Sequence, residues 1–187
     1  MRISMSRVAK AGGVAVASLA LAVPAATTAT AQNDAASSMG NTRVAINPPV
    51  YRLLADSGIM VRPRGMATAA PFRNTVAAKF PIYDIRNGGK LILHKGGLKF
   101  YTHDVDINTG RFRISLVKNH VTGAVSGSEV GHVGRVVLFK LAKSHRPRLG
   151  DVKLTLTRVA AGAFNATFGV KAFSKGDNFG FASVNPR

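Results

Sequence analysis

From Lys90 to Leu141 the chain repeats one pattern, short runs of alternating apolar and polar residues separated by glycine-containing turns. Arg111-Phe112-Arg113-Ile114-Ser115-Leu116 is the clearest run. Strand side chains alternate between faces, so Phe112, Ile114 and Leu116 are expected to face a core, and Arg111, Arg113 and Ser115 to face water. The run therefore predicts a half-buried strand with a cationic outer surface. Neighbouring runs extend the pattern. Thr75–Tyr83 offers Val76, Phe80 and Ile82 inward, and Asn87-Gly88-Gly89 marks a turn. Lys90–His94 sets Leu91 and Leu93 opposite Ile92, Lys95-Gly96-Gly97 turns the chain, and Leu98 and Phe100 oppose Lys99 and Tyr101. Val105 and Ile107 continue the alternation, and Asn108-Thr109-Gly110 reads as a three-residue hairpin loop. Val121–Ser126, Val133–Leu141, Asp151–Thr157 and Phe181–Val184 supply further strands.

Two segments read as helices. Asn47 is expected to cap Pro48–Ala55, with proline at the first helical position and Gly58 as terminator. Arg158–Phe168 places Val159, Ala163, Phe164 and Phe168 on one face, between a Thr157 cap and a Gly169 stop. Ile59-Met60-Val61 starts an extended piece that Pro63 is expected to interrupt. The expected fold is all-β: a β-sandwich or open barrel of about seven to nine short antiparallel strands with one or two short helices.

Residues 1–31 have the three parts of an export signal. Arg2, Arg7 and Lys10 precede the apolar stretch Ala11–Ala22, and Ala29-Thr30-Ala31 supplies small residues for cleavage. Residues 32–46 read as a small, polar, flexible lead-in, and residues 47–187 as a single β domain. No second long apolar segment follows, so the mature chain is expected to be secreted, or held non-covalently at the cell envelope. There is no cysteine, which excludes a disulfide framework, a thiol nucleophile and a lipid anchor at the cleavage point.

Charge is the remaining bulk signal. The chain has 26 basic and 8 acidic residues and a formal charge of +18; without Arg2, Arg7 and Lys10, 23 basic residues remain. Such a field attracts polyanions. Lys90, Lys99, Arg111 and Arg113 form one basic set on strands, and Lys140, Lys143, Arg146 and Arg148 a second. Teichoic acid, acidic polysaccharide or extracellular DNA are the expected partners of such faces, through phosphate or carboxylate contacts. The plainer account is a set of solvated faces that also discourage strand edges from pairing. Intracellular nucleic acid is not an expected partner of an exported chain, and the three tyrosines offer few stacking platforms.

Reaction chemistry is not apparent. Asp104-Val105-Asp106-Ile107-Asn108 alternates oxygen ligands like a calcium loop, but its glycine is one place late and Ser115 stands where a glutamate is required. A strand running into a hairpin accounts for the same residues. His94, His103, His120, His132 and His145 are scattered and read as surface or turn histidines, not as a zinc site. Val125-Ser126-Gly127-Ser128-Glu129 lacks the spacing of a nucleophile elbow. The chain reads as no enzyme. A small secreted hydrolase stays open only because sites assemble from residues distant in sequence.

The order of features resembles a known family. Phe80-Pro81-Ile82, the run Gly88 to Phe100, Asp106-Ile107-Asn108-Thr109-Gly110-Arg111-Phe112 and Val137-Leu138-Phe139-Lys140-Leu141 look like the HtaA-like domain of secreted Gram-positive proteins. Leu154-Thr155-Leu156-Thr157, Ala160 to Asn165, Phe168-Gly169-Val170 and Phe173-Ser174-Lys175-Gly176 are similar to a segment often attached to it. The resemblance spans most of Ile59–Val184, through turn and core residues. In haem-uptake members a tyrosine near the domain start holds the iron, supported by a histidine after a Phe-x-x-His strand. Phe100-Tyr101-Thr102-His103 places His103 at the matching point, with Tyr101 or Tyr51 as the tyrosines on offer. The leading expectation is thus an exported, non-enzymatic, envelope-associated domain with a cationic face for acidic polymers. The alternative is a haem or porphyrin carrier using His103.

Overall fold

The computed structural model describes residues 39–187. The leader (1–31) and the first part of the expected lead-in lie outside the described residues.

Eleven strands and two helices follow one another: β1 Gly40–Ile46, α1 Pro48–Asp56, β2 Met60–Arg64, β3 Thr68–Phe72, β4 Thr75–Arg86, β5 Leu91–His94, β6 Gly97–Tyr101, β7 Asp106–Ser115, β8 His120–Gly127, β9 Gly131–Lys143, β10 Val152–Leu156, α2 Arg158–Phe168 and β11 Asn178–Pro186. All pairings are antiparallel. The sheet runs β7-β5-β4-β1-β11-β10-β9-β8, and β8 pairs back onto β7. That pairing closes an eight-stranded barrel. β6 continues along the edge of β7 that β5 occupies, β2 adds to β6, and β3 lies against β4.

The all-β expectation holds, with a closed barrel and two strands beyond the upper expectation of nine. β1 corrects the lead-in, which was expected to run to residue 46. Its sequence is small and polar because it lies between β4 and β11, where neighbours supply the hydrogen bonds that hold it. Thr42, Ala45 and Ile46 are buried there. β2 retains Pro63 because β6 is its one strand partner, and an edge tolerates a residue without an N–H donor. Pro71 sits in β3 in the same way.

Further details depart from the sequence pattern. Leu116 lies one residue beyond β7 and is 46% exposed, whereas Phe112 and Ile114 are buried as expected. Asn108-Thr109-Gly110 is strand rather than loop; the β6–β7 connection falls at residues 102–105. Glycine is required at this crossing by close approach: a Cβ on Gly97 would lie 1.9 Å from the Thr109 carbonyl oxygen. In α2 the buried face is Ala160, Ala161, Phe164 and Thr167, so the apolar stripe is rotated and Val159 is 54% exposed.

Helix α2 is tied to the barrel at its start and to the loop that follows it near its end. Thr157 Oγ1 accepts from Ala160 N–H at 3.2 Å and donates to the Val137 carbonyl at 2.7 Å, tying the helix start to β9. Asn165 exchanges two hydrogen bonds with the backbone of Phe173, at 2.8 and 3.0 Å. Between these ties Phe164 packs against Phe100 edge-on, with centroids 4.9 Å apart, and against Phe173 and Phe179. The aromatic cluster fills the barrel beside the helix.

Candidate functional site

Residues of β5, β7, β8 and β9 combine into a cationic outer wall. Arg113 lies between Leu93 and Thr122 in register, and Gly110 pairs with Ala124, which pairs with Arg135. Bulges between Gly110 and Arg113, and within the β8–β9 ladder, bring these arginines to one area. Arg111 occupies the first bulge at φ 50, a left-handed conformation unusual for a non-glycine residue. Its carbonyl accepts from Arg135 Nη1 at 2.8 Å, and Arg135 Nη1 lies 3.2 Å from Thr122 Oγ1. Arg135 is therefore held in place by neutral groups, leaving its charge uncompensated.

Below this cluster runs a groove of about 490 Å3 lined by Lys90, Leu91, Arg113, Lys118, His120 and Arg135, among others, with no carboxylate in its lining. Lys140 stands opposite His120 on β9. The local field is positive. Burial is the first cause holding the Arg135 guanidinium below its ordinary value; Arg113 and Arg111 add to it and Tyr83 opposes. His120 is lowered by burial first, then by Lys140 and Lys118. Burial dominates both shifts, and the neighbouring cations push in the same direction.

The structure thus brings together three of the sequence-selected bases, Lys90, Arg111 and Arg113, with Lys140 beside them. It adds Lys118, His120 and Arg135, which sequence reasoning missed. Lys99 is different: it forms an ion pair with Asp106, whose carboxyl is held below its usual range first by the Lys99 hydrogen bond. Lys99–Asp106 and Arg86–Asp84 are the two ion pairs among the described residues, so most basic side chains face no carboxylate. Asp106 also accepts from Ser128 N–H at 3.2 Å, which leaves its alternation with Asp104 and Asn108 serving the strand pair. Lys143 is exposed at the end of β9, and Arg146 and Arg148 lie in the β9–β10 loop.

The haem candidates are placed as follows. Tyr51 is exposed on α1, Tyr101 ends β6 with the Arg62 guanidinium 5.2 Å above its ring, and His103 is exposed in the β6–β7 loop. The groove described above is lined by none of the three. The barrel interior holds an apolar cavity of about 60 Å3, far below the roughly 300 Å3 at which small-molecule pockets begin. A porphyrin does not fit there. Among the described residues no group of three or more His, Asp or Glu is placed to hold a metal ion, and no helix is long and apolar enough to cross a membrane.

His94 corrects the expectation of surface or turn histidines. It is 2% exposed, with Nε2 at 2.7 Å from Thr42 Oγ1 and Nδ1 at 3.3 Å from the Phe112 carbonyl. Burial lowers its pKa to about 4, against a smaller raising effect of the Phe112 carbonyl. The alternation around Ile92 already contained this placement, since His94 shares the inward face of Ile92.

These features define the class: a closed antiparallel barrel with a helix on one side and a basic outer wall. The C-terminal domain of HtaA from Corynebacterium glutamicum has a similar fold. The two agree with a TM-score of 0.54 and 12% sequence identity, over 77% of this chain and 94% of that one. The likeness is one of fold. No family model and no curated protein matches the chain.

Proposed function

We propose that this protein is an exported, non-enzymatic, envelope-associated domain that holds acidic polymers on the outer wall of its barrel. The observation that carries this reading is the groove flanked by Lys90, Arg113, Lys118 and Arg135 without a carboxylate in its lining. Arg135 is fixed by hydrogen bonds of one terminal nitrogen to neutral groups, and guanidinium donors beside it suit phosphate or carboxylate oxygens. The three-part leader at residues 1–31 and the likeness in fold to an HtaA domain support export and a place at the cell surface.

Binding to purified cell wall or to polyphosphate, measured against salt, tests the reading. With about four contacts displaced as counterions, affinity is expected to fall on the order of 50-fold between 50 and 200 mM salt. Replacing Lys90, Arg113 and Lys118 with glutamine should flatten that dependence. A wild-type affinity indifferent to salt, or a variant with an unchanged slope, would sink the wall as the binding site.

The fold likeness, together with the placement of Tyr101 and His103 two residues apart at the end of β6, favours haem as a second reading, with Tyr51 as the other tyrosine on offer. Haem titration separates the two. A Soret band abolished in His103→Ala supports the carrier, and its absence from the wild type removes it.

A further inference from the structure

A second concentration of positive charge lies away from the groove on the wall. Arg73, His145, Arg146 and Arg148, with Pro147 and Leu149, line a pocket of about 380 Å3. It shares no lining residue with the groove containing Arg113. Its two sides come from separate hairpins. Arg73 sits in the two-residue turn between β3 and β4, at φ 54, with its guanidinium 5.6 Å from the Phe72 centroid. The Arg43 guanidinium lies 4.7 Å from the same ring.

The other side, residues 145–148, is held by its own backbone. The N–H groups of Leu149 and Gly150 both donate to the Arg146 carbonyl, at 2.9 and 3.3 Å. Arg146 N–H donates to Ser144 Oγ at 2.9 Å, and Ser144 N–H to the Asp151 carbonyl at 3.0 Å. Leu149 is buried, and Gly150 approaches Ala182 so closely that a Cβ would meet the Ala182 carbonyl oxygen at 2.8 Å. The loop is therefore anchored while its arginines remain exposed. No carboxylate lines the pocket, so three arginines share its lining without a counter-charge there. An oxyanion that accepts forked hydrogen bonds from more than one of them supplies that counter-charge.

We infer that this pocket is a second phosphate-binding site, independent of the wall, and that one molecule joins two strands of a phosphate-bearing polymer. The inference rests on the proposed polyanion-binding role and extends it from holding a polymer to cross-linking it. Two separate sites on one rigid barrel also give avidity without additional contacts wherever a single polymer reaches both.

A sandwich capture experiment tests it. The protein is bound to immobilised polyphosphate, washed, and offered a fluorescent polyphosphate in solution. Wild type is expected to retain the second strand. Replacing Arg73, Arg146 and Arg148 with glutamine should leave the first binding intact through the wall and reduce retention of the second strand by at least about tenfold. Glutamine at Lys90, Arg113 and Lys118 should likewise abolish capture while the pocket still holds the immobilised strand. A control with Arg52, Lys171 and Lys175 replaced by glutamine removes equal charge elsewhere and should capture normally; thermal unfolding confirms that each variant folds. Capture by the Arg73/Arg146/Arg148 variant at the wild-type level overturns the second site, as does equal loss in the control. If wild type binds the first strand but never captures the second, cross-linking falls and the proposed function stands. If wild type binds no strand at all, both fall.

Discussion

His94 makes the stability of this barrel depend on pH, in the same direction as the more exposed His120, whose pKa is also lowered. The imidazole is buried between Thr42 and the Phe112 carbonyl, and its pKa drops from 6.5 to about 4 in the folded protein. Because the folded value is the lower one, the unfolded chain takes up a proton that the native state refuses. Stability is therefore unaffected well above pH 6.5, falls as pH drops from 6.5 toward 4, and levels off below. At 1.36 kcal/mol per pH unit, the linkage integrates to a loss of about 2 kcal/mol between pH 6.5 and 4.5 from this one side chain. Asp106, whose carboxyl is also lowered, adds its own loss only as pH falls through and below 3.8. Urea unfolding at several pH values across the window gives the slope directly. The variant His94→Gln keeps a hydrogen-bonding group near Thr42 and removes the titration, so it is expected to be less stable at pH 7.5 yet much flatter with pH. A wild-type stability constant from pH 6.5 to 4.5, or a variant that declines as steeply as the wild type, would refute the assignment of the slope to His94.

Other consequences of the packing are open to measurement. Thr157→Ala removes both the helix cap and the bond to the Val137 carbonyl, and should cost about 1–2 kcal/mol in chemical unfolding; a loss under a few tenths would show that the cap is dispensable. Phe164→Ala empties the centre of the aromatic cluster and should cost about 3–5 kcal/mol, unless the cluster collapses and the midpoint barely moves. Lys99→Gln breaks a partly exposed ion pair and should change stability by less than about 1 kcal/mol. The same substitution should leave polyphosphate affinity near wild type, because that ammonium is already engaged; a large drop would return Lys99 to the binding face. Arg62 and Arg64 lie on the β2 edge, and replacing them with valine should promote self-association in sedimentation, whereas Arg113→Gln should not.

The sequence made the barrel strands from Lys90 onward legible because a half-buried strand shows its period in the residue types. β1 was not legible for the opposite reason. Paired on both sides, Gly40–Ile46 draws its stability from neighbours, and its Asn, Thr and Arg carry no helix or strand period. β3 is Thr-Ala-Ala-Pro-Phe, mostly exposed and without an alternating face. The site divides along the same line. Arg111 and Arg113 follow from local alternation, but their meeting with Arg135 depends on the register between β8 and β9 and on bulges that shift it. Lys99 looked free in sequence because Asp106 reaches it across the β6–β7 pair rather than along the chain. His94 required only that the alternation around Ile92 be carried two residues further.

Protection of strand edges is the plainer account of the basic surface, and the topology separates it from ligand binding. Lysine and arginine blunt an edge only where an edge exists. In this fold the exposed edges belong to added strands such as β2 and β3, and β2 carries Arg62, Pro63 and Arg64 there. Arg111 and Arg113 lie on β7, which is paired with β5 and β6 on one side and β8 on the other. Arg135 lies on the first half of β9, opposite Ala124 of β8 and short of the Phe139–Lys143 stretch that pairs with β10. Pairing on both sides has already removed the edge that Arg113 could guard. Placing these arginines together at bulges adds repulsion among like charges, which contributes after burial to the lowered pKa of His120 and Arg135. Edge protection therefore accounts for the basic residues of β2, and is available to Arg135 on the first half of β9, but not to Arg113, which is paired on both sides.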